Sequence, residues 1–495
     1  MFRTITPESA GIRSSDVGGF IRFLQKNGVV CHQLLLLKGD GVFGEFSWAP
    51  FTPDFCHRMY SQTKSFVGTA ILLLADEGKL SLRDPVAKFF PDKIPDSIDR
   101  SYLDMTVEDM LVMETCCRQE NWFKVNAEDR AEFYFGLGAQ PYPSGLVYQY
   151  DSAGSQVLCV LAERLSGMKL LDYLKTKLFD KMGTFKNAQI LRTANGDSWG
   201  DSALICTPRD VASFARLLMN GGVWEGERIM PERVAVEAVK KRVDNDETGF
   251  DNCDSWGYGY QIWRLRDGFW FRGMGGQFTV CLPEKDLICV VTGDNQGYSG
   301  FPHVFIAGLY EFIVDRMNAS PLPEDPGALA ELEKLAGSLK LYSLPGDADS
   351  PFRETVDGAK YLCGDNPMGI RSFALDFSPD GKTGTFRWEN AQGEKSLPFA
   401  LLDNAFAKFP QLGYSDGVGG QRTANGFMYD CAVSAAWREE RKLLIKVQVI
   451  DRYFGNFVAR FSFTPDGSGA ALVMKKTAED FLGEYDGKTF GVRAN

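Results

Sequence analysis

The order in which two apolar periods follow one another restricts the fold of this chain more than any other feature of its sequence. Two strand-like runs, Cys31 to Leu37 and Val42 to Trp48, come first, separated by the hairpin signal Lys38-Gly39-Asp40-Gly41. Alternating runs return far downstream at Tyr258 to Trp263, Phe269 to Arg272, Gln277 to Leu282 and Leu287 to Thr292, with Pro283-Glu284-Lys285-Asp286 as a turn. Between these groups the apolar residues recur at three and four, as they do in helices: Val157, Leu158, Val160, Leu161 and Leu165; Val211, Phe214, Ala215 and Leu218; and Glu232 to Lys240. Thr106 is placed to cap a further helix. With helices also expected at Val17 to Lys26 and Val304 to Arg316, the pattern predicts an α+β domain, an antiparallel sheet with flanking helices and an inserted helical region.

Within the insertion one stretch carries chemistry. After Lys64 the residues Val67, Ala70, Ile71 and Leu74 share a face, and Gly78 supplies a stop, so Ser61 to Leu80 reads as a helix with one buried face. Ser61 and Lys64 lie one turn apart at its start, where a hydroxyl can meet an amine. A serine becomes a nucleophile when a base takes its proton, and the N–H groups of a helix start can hold the oxyanion formed by its attack on a carbonyl. The spacing is weak by itself, because Ser166-Gly167-Met168-Lys169 repeats it where one helical pattern closes and another opens, which reads as a solvated turn. Tyr150 falls in a turn before a buried helix, and residues 115–145 form an irregular stretch able to line a cleft.

The chain has 495 residues, more than one core usually holds, so two domains are expected. Ser320-Pro321-Leu322-Pro323-Glu324-Asp325-Pro326-Gly327 is the clearest linker. It divides the sequence into a domain at 1–318, a linker with a short polar helix at 319–352, and a β-rich, barrel-like domain at 353–495. Acidic residues outnumber basic ones, 65 to 54, for a net charge of -11, which argues against a nucleic-acid partner. The longest apolar runs, such as Ala70 to Ala75, are too short to span a membrane, and Met1 to Gly11 lacks the pattern of a secretory signal. A soluble, cytoplasmic protein is expected, its eleven scattered cysteines serving as reduced core thiols, with no metal and no cofactor called for.

Three motifs in sequence give the chain a family resemblance. Ser61-Gln62-Thr63-Lys64, then Tyr150-Asp151-Ser152 before a helix, then Gly273-Met274-Gly275-Gly276-Gln277 resembles the layout of the penicillin-recognising serine hydrolases. The chain looks most like the class C β-lactamase-like branch that includes esterases, D-amino-acid peptidases and nylon-oligomer hydrolases. Pro7 to Ile12, Glu77 to Leu80, Thr207 to Asp210 and Tyr258 to Tyr260 resemble landmarks of that branch in the expected order, and the likeness runs over roughly residues 5–315.

The resemblance implies a β-lactamase/transpeptidase-like fold with Ser61 as the acylated nucleophile, Lys64 as the neighbour sharing its proton, and Tyr150 as the phenol that relays protons. It implies an oxyanion hole from the backbone N–H groups of Ser61 and Gln277, and substrate contacts from Gln62, Ser152, Met274, Gly275 and Gly276. Two positions depart from the pattern: Ser152 stands where asparagine is usual, and Met274 where lysine or histidine is usual. Arg272 reads as a solvated strand end, so the site is expected to lack that cation and to act on a small uncharged ester or amide rather than as a D-amino-acid peptidase or β-lactamase.

Two rival readings remain beside this one. A Ser-His-Asp hydrolase would have to use His32, His57 or His303, and His57 reads as structural. A binding protein that kept the fold but lost turnover is the other, which the changes at Ser152 and Met274 make credible. The C-terminal domain could cover the cleft or build a homo-oligomer.

Overall fold

The computed structural model describes residues 2–118, 127–245, 253, 255–412, 428–451, 454–478 and 483–494. Contacts divide the chain into two compact units, one formed by Met1–Lys340 and the other by the described residues from Leu341 onward.

In the first unit the run Gln33-Leu34-Leu35-Leu36-Leu37 lies inside the strand Cys31–Lys38, in the interior of a sheet. Leu35 and Leu37 point into one core with Phe66, Val67 and Phe214, while Leu34 and Leu36 point into another with Phe20, Ile21 and Phe305. Side chains alternate across a strand, so a strand covered on both faces must be apolar at every position, which accounts for the unbroken leucines. Among the described residues the sheet runs Arg3–Thr4, Gly41–Ser47, Cys31–Lys38, Leu287–Gly293, Gln277–Leu282, Gly268–Gly273 and Trp263–Leu265. The hairpin from the start of the chain meets the late meander at Leu36↔Cys289 and Leu34↔Val291, and only the first pair, Arg3–Thr4 with Gly41–Val42, is parallel.

The helix Thr63–Asp76 is buried on every side from Thr63 to Leu74 rather than on one face. It packs beside the helix Ser152–Ser166, and its Phe66 ring stacks on Phe214 at 4.2 Å, so it occupies the middle of the unit, where an all-round apolar helix belongs. Phe66→Ala would cost about 3–5 kcal/mol.

Three expectations need adjustment. The strand expected over Tyr258 to Trp263 begins only at Trp263, because Gln261 turns into the left-handed region at φ 62° and Gly259 N–H donates to the Ile262 carbonyl. Of the stretch 115–145, Arg130–Phe135 forms a helix capped by Asp129, and 119–126 lies outside the described residues. The helix Pro326–Gly337 falls in the first unit, where its Leu332 enters the core beside Phe20 and Leu24 of the helix Ser14–Lys26.

The second unit is a β-barrel. Among the described residues nine strands close a ring in the order Lys360–Cys363, Ser372–Phe377, Thr383–Asn390, Gly393–Leu401, Met428–Glu439, Lys442–Ile450, Phe454–Phe463, Gly469–Ala478 and Gly487–Arg493, the last pairing with the first. Aromatic rings fill it: Tyr361 stacks on Phe373 at 5.3 Å, and Phe386 meets Phe461 edge-on at 5.2 Å. Ala405–Leu412 pairs with the first half of Met428–Glu439. All eleven cysteines are free thiols, and no helix among the described residues is long and apolar enough to cross a membrane.

Candidate active site

Ser61 sits in a single 3-10 turn, Tyr60–Gln62, that runs directly into the helix Thr63–Asp76. Tyr60, immediately before it, is held at φ 48°, a left-handed conformation that costs a non-glycine residue about 1–2 kcal/mol. Two contacts hold the turn: the Arg58 guanidinium lies 4.4 Å from the Tyr60 ring centroid, and Thr63 Oγ1 donates to the Tyr60 carbonyl at 2.6 Å. Lys64, buried to 1% exposure, donates from Nζ to Ser61 Oγ at 2.9 Å and to the Asp201 carbonyl at 2.5 Å. The next residue, Ser202, is gripped by the buried Arg58, whose Nε donates to the Ser202 carbonyl at 3.0 Å, so one arginine steadies both the turn and the segment that orients the lysine.

Tyr150 reaches the same place from another element. Asp151 caps the helix Ser152–Ser166, its Oδ1 accepting from Gly154 N–H at 2.8 Å and its Oδ2 from Thr115 Oγ1 at 2.8 Å and Tyr134 OH at 3.2 Å. Burial pushes this carboxyl above the usual carboxylate range, and the hydrogen bonds offset only part of that. Tyr150, one residue ahead, turns its ring face toward Lys64, whose Nζ lies 5.2 Å from the centroid, and stacks its ring on Trp263 at 5.3 Å and 29°.

The glycine-rich segment closes a hairpin between Gly268–Gly273 and Gln277–Leu282, with Gly275 and Gly276 at φ 76° and 99°. A Cβ on Gly273 would lie 2.3 Å from the Met59 carbonyl, so only glycine lets this strand pass so near the serine turn. The turn is pinned from behind: Asn295 N–H donates to the Gly275 carbonyl at 2.7 Å, and Gln277 Nε2 donates to the carbonyls of Met274 at 2.9 Å and Gly293 at 2.7 Å. A cleft of about 490 Å³ opens over these elements, lined by Ser61, Tyr150, Trp263, Arg272, the segment Gly273 to Gly276, Phe278, the loop Asn295 to Ser299, Phe301 and Pro302.

Ser61, Lys64 and Tyr150 are thus brought together, and Met274, Gly275 and Gly276 line the cleft beside them. Gln62 is not brought to it: its side chain is fully buried, and its Oε1 accepts from Thr279 Oγ1 at 2.7 Å. Ser152 is buried as the first helical residue behind Tyr150, and the Gln277 side chain turns into the core to bind Gly293. Arg272 lies on the cleft wall with its guanidinium 5.4 Å from the rings of both Trp263 and Trp270, so the expectation of a solvated strand end gives way to a cation facing the site. The described part of 115–145 is not among the lining residues.

Sequence reasoning missed Trp263, Arg272 and the loop Asn295 to Ser299. The signal for the loop was present: Asp294-Asn295-Gln296-Gly297-Tyr298-Ser299-Gly300, a polar run with glycines, directly follows the buried strand Leu287–Gly293. His57 is structural: it is fully buried, Nδ1–H donates to the Arg58 carbonyl at 2.9 Å, Nε2 lies 2.9 Å from His32 Nδ1, and burial pushes its imidazole down to about 3.

Residues 23–300 match the family model described as Beta-lactamase. The 6-aminohexanoate-dimer hydrolase of Paenarthrobacter ureafaciens is 30% identical over 212 residues, which take in 40% of this chain and 54% of that protein, so the match spans about half the length of the curated relative. Among solved structures, a Bacillus anthracis protein named after 6-aminohexanoate-dimer hydrolase superposes with a TM-score of 0.51 at 18% identity, covering 66% of this chain and 89% of that one. A β-lactamase/D-alanine carboxypeptidase of Yersinia pestis gives 0.49 at 17% identity over 62% and 98%. The Bacillus anthracis likeness is one of fold.

Proposed function

This chain belongs to the Beta-lactamase family of β-lactamase-like serine hydrolases, and from that premise we propose that it hydrolyses an ester or amide bond of a small molecule through an acyl-enzyme on Ser61. The observation that carries the reading is the 2.9 Å separation of Lys64 Nζ from Ser61 Oγ at a cleft floor. Lys64 takes the serine proton while Oγ bonds to the substrate carbonyl carbon, and the carbonyl oxygen becomes an oxyanion met by the backbone N–H groups of Ser61 and Gln277. Tyr150 passes the proton to the leaving alcohol or amine as the old bond breaks. Water then attacks the acyl group, gives a proton back through the same pair, and frees the acid and Ser61.

Trp263, Met274, Tyr298 and Phe301 offer the substrate an apolar wall, and Arg272 faces the same space. The Paenarthrobacter ureafaciens relative is named for a dimer of 6-aminohexanoate, which brings amide cleavage into the reading beside ester cleavage. A fluorophosphonate probe is expected to modify the folded protein at Ser61, and Ser61→Ala to abolish the modification; a folded protein that stays unmodified would overturn the proposal.

A further inference from the structure

Gln261 is 1% exposed and holds the left-handed conformation noted above, which a non-glycine residue keeps only where its surroundings over-determine it. Those surroundings are unusually specific. Its Nε2 donates to the carbonyls of Met110 and Leu111, both at 3.0 Å, at the end of the helix Val107–Leu111. Its Oε1 accepts from Ser155 Oγ at 2.6 Å, and its backbone carbonyl accepts from Ser65 Oγ at 2.9 Å. Ser65 follows Lys64 on the helix that carries the nucleophile. Ser155 stands one turn into the helix behind Tyr150, and its Oγ also lies 3.0 Å from the Asp151 carbonyl.

One residue therefore bonds the serine–lysine helix and the tyrosine helix at once. The approach is close: a Cβ on Gly68 would lie 2.6 Å from the Tyr260 carbonyl and 3.0 Å from Gln261 Cβ, so the nucleophile helix rests directly on this segment. Two residues beyond Gln261, Trp263 meets the ring of Tyr150.

We infer that Gln261 is a positioning residue of the acyl-transfer site, setting the separation between the Ser61–Lys64 pair and the phenol of Tyr150 by its simultaneous bonds to Ser65 and Ser155. The inference rests on the catalytic reading of those three residues. Proton relay demands that donor and acceptor stay within hydrogen-bond reach, and a shift of a few tenths of an ångström between the two helices lowers the rate of the chemical step far more than it changes the fit of substrate against the cleft wall.

Removing the whole amide would empty a buried polar site, so the test uses the serines. With p-nitrophenyl acetate as substrate, Ser65→Ala and Ser155→Ala are each expected to lower kcat by roughly ten-fold while KM stays within about two-fold. Both variants should keep the circular dichroism of the parent and full fluorophosphonate occupancy of Ser61. The double variant should lose less than the product of the single losses, because both act through Gln261. Ser155→Thr, which keeps the hydroxyl, should return kcat to within about two-fold of the parent. Folded, labelled serine variants with the parent kcat overturn this inference alone, as does a loss that falls on KM or that Ser155→Thr does not rescue. Absence of labelling in the parent overturns the catalytic reading and this inference with it.

Discussion

Ser61 and Ser166 each stand three residues before a lysine, and the two copies have only that spacing in common. At the first, a helical turn runs unbroken from serine to lysine, and Lys64 finds a hydroxyl, a carbonyl and an aromatic face. At the second, Gly167 ends the helix at φ 70° between the two, and Ser166 Oγ accepts from Met168 N–H at 3.2 Å instead of meeting the lysine. Lys169 bonds Glu163 at 2.8 Å and Asp197 at 3.5 Å. Burial works against its charge, but those carboxylates outweigh it and hold the ammonium above its ordinary value, where it cannot serve as a base. Under the proposed function, the spacing serves chemistry where a helical turn runs through it and the amine meets the serine hydroxyl, and not where the amine is held by carboxylates.

The sharpest way to break this comparison is to delete each amine. Lys64→Met is expected to lower kcat/KM for ester hydrolysis by about 10³-fold, and Lys169→Met by less than about two-fold. Comparable losses at both sites would mean that the surroundings of Lys64 confer nothing.

A second measurement asks what lies beneath each copy. The strand leading to Ser61 carries the buried His57, whose folded value of about 3 is below the ordinary 6.5 because burial disfavours its charged form. The unfolded chain takes the proton first, so the stability is present above pH 6.5 and is lost as pH falls toward 3, by at most about 1.4 kcal/mol per pH unit. Urea unfolding between pH 7 and pH 4 should show a shallower loss in His57→Asn than in the parent; identical slopes would remove His57 from the account.

The smallest effect belongs to the second copy. Because the folded value of Lys169 is raised, its contribution to stability is present below the unfolded value near 10.4 and is lost as pH rises through the folded value. With 37% of the side chain exposed, solvent screening limits it to under about 1 kcal/mol, so Lys169→Met should unfold slightly more easily at pH 8, with the gap closing as pH rises through the folded value.

What could be read from the sequence was local. Unbroken apolar strands, capped helices and the serine–lysine spacing each need only neighbours along the chain, and the strands around Leu34 to Leu37 and the helix after Ser61 were legible for that reason. Directions across the chain were not. Gln62 is next to Ser61 in sequence, yet one residue of a 3-10 turn rotates the side chain by about 120°, which sends it to Thr279 instead of the cleft. Arg272 and Trp263 could be assigned to the cleft only from the register that sets their strands side by side, Trp270↔Trp263 and Arg272↔Phe278. Gln261 interrupts an alternation that read as continuous strand, because its backbone conformation is imposed by bonds to residues more than a hundred positions away.

The ring of the second unit has an odd number of members, and parity then dictates something about its construction. If every neighbour ran antiparallel, directions would alternate around the circle and only an even number could close. Nine strands therefore require a seam where two run the same way, and it lies where Gly393–Leu401 meets Met428–Glu439, over just Ala400↔Ser434 and Leu401↔Ala435. Every other joint of the circle holds three or more paired residues. The cylinder thus has one lip that can be unzipped at the cost of the fewest bonds.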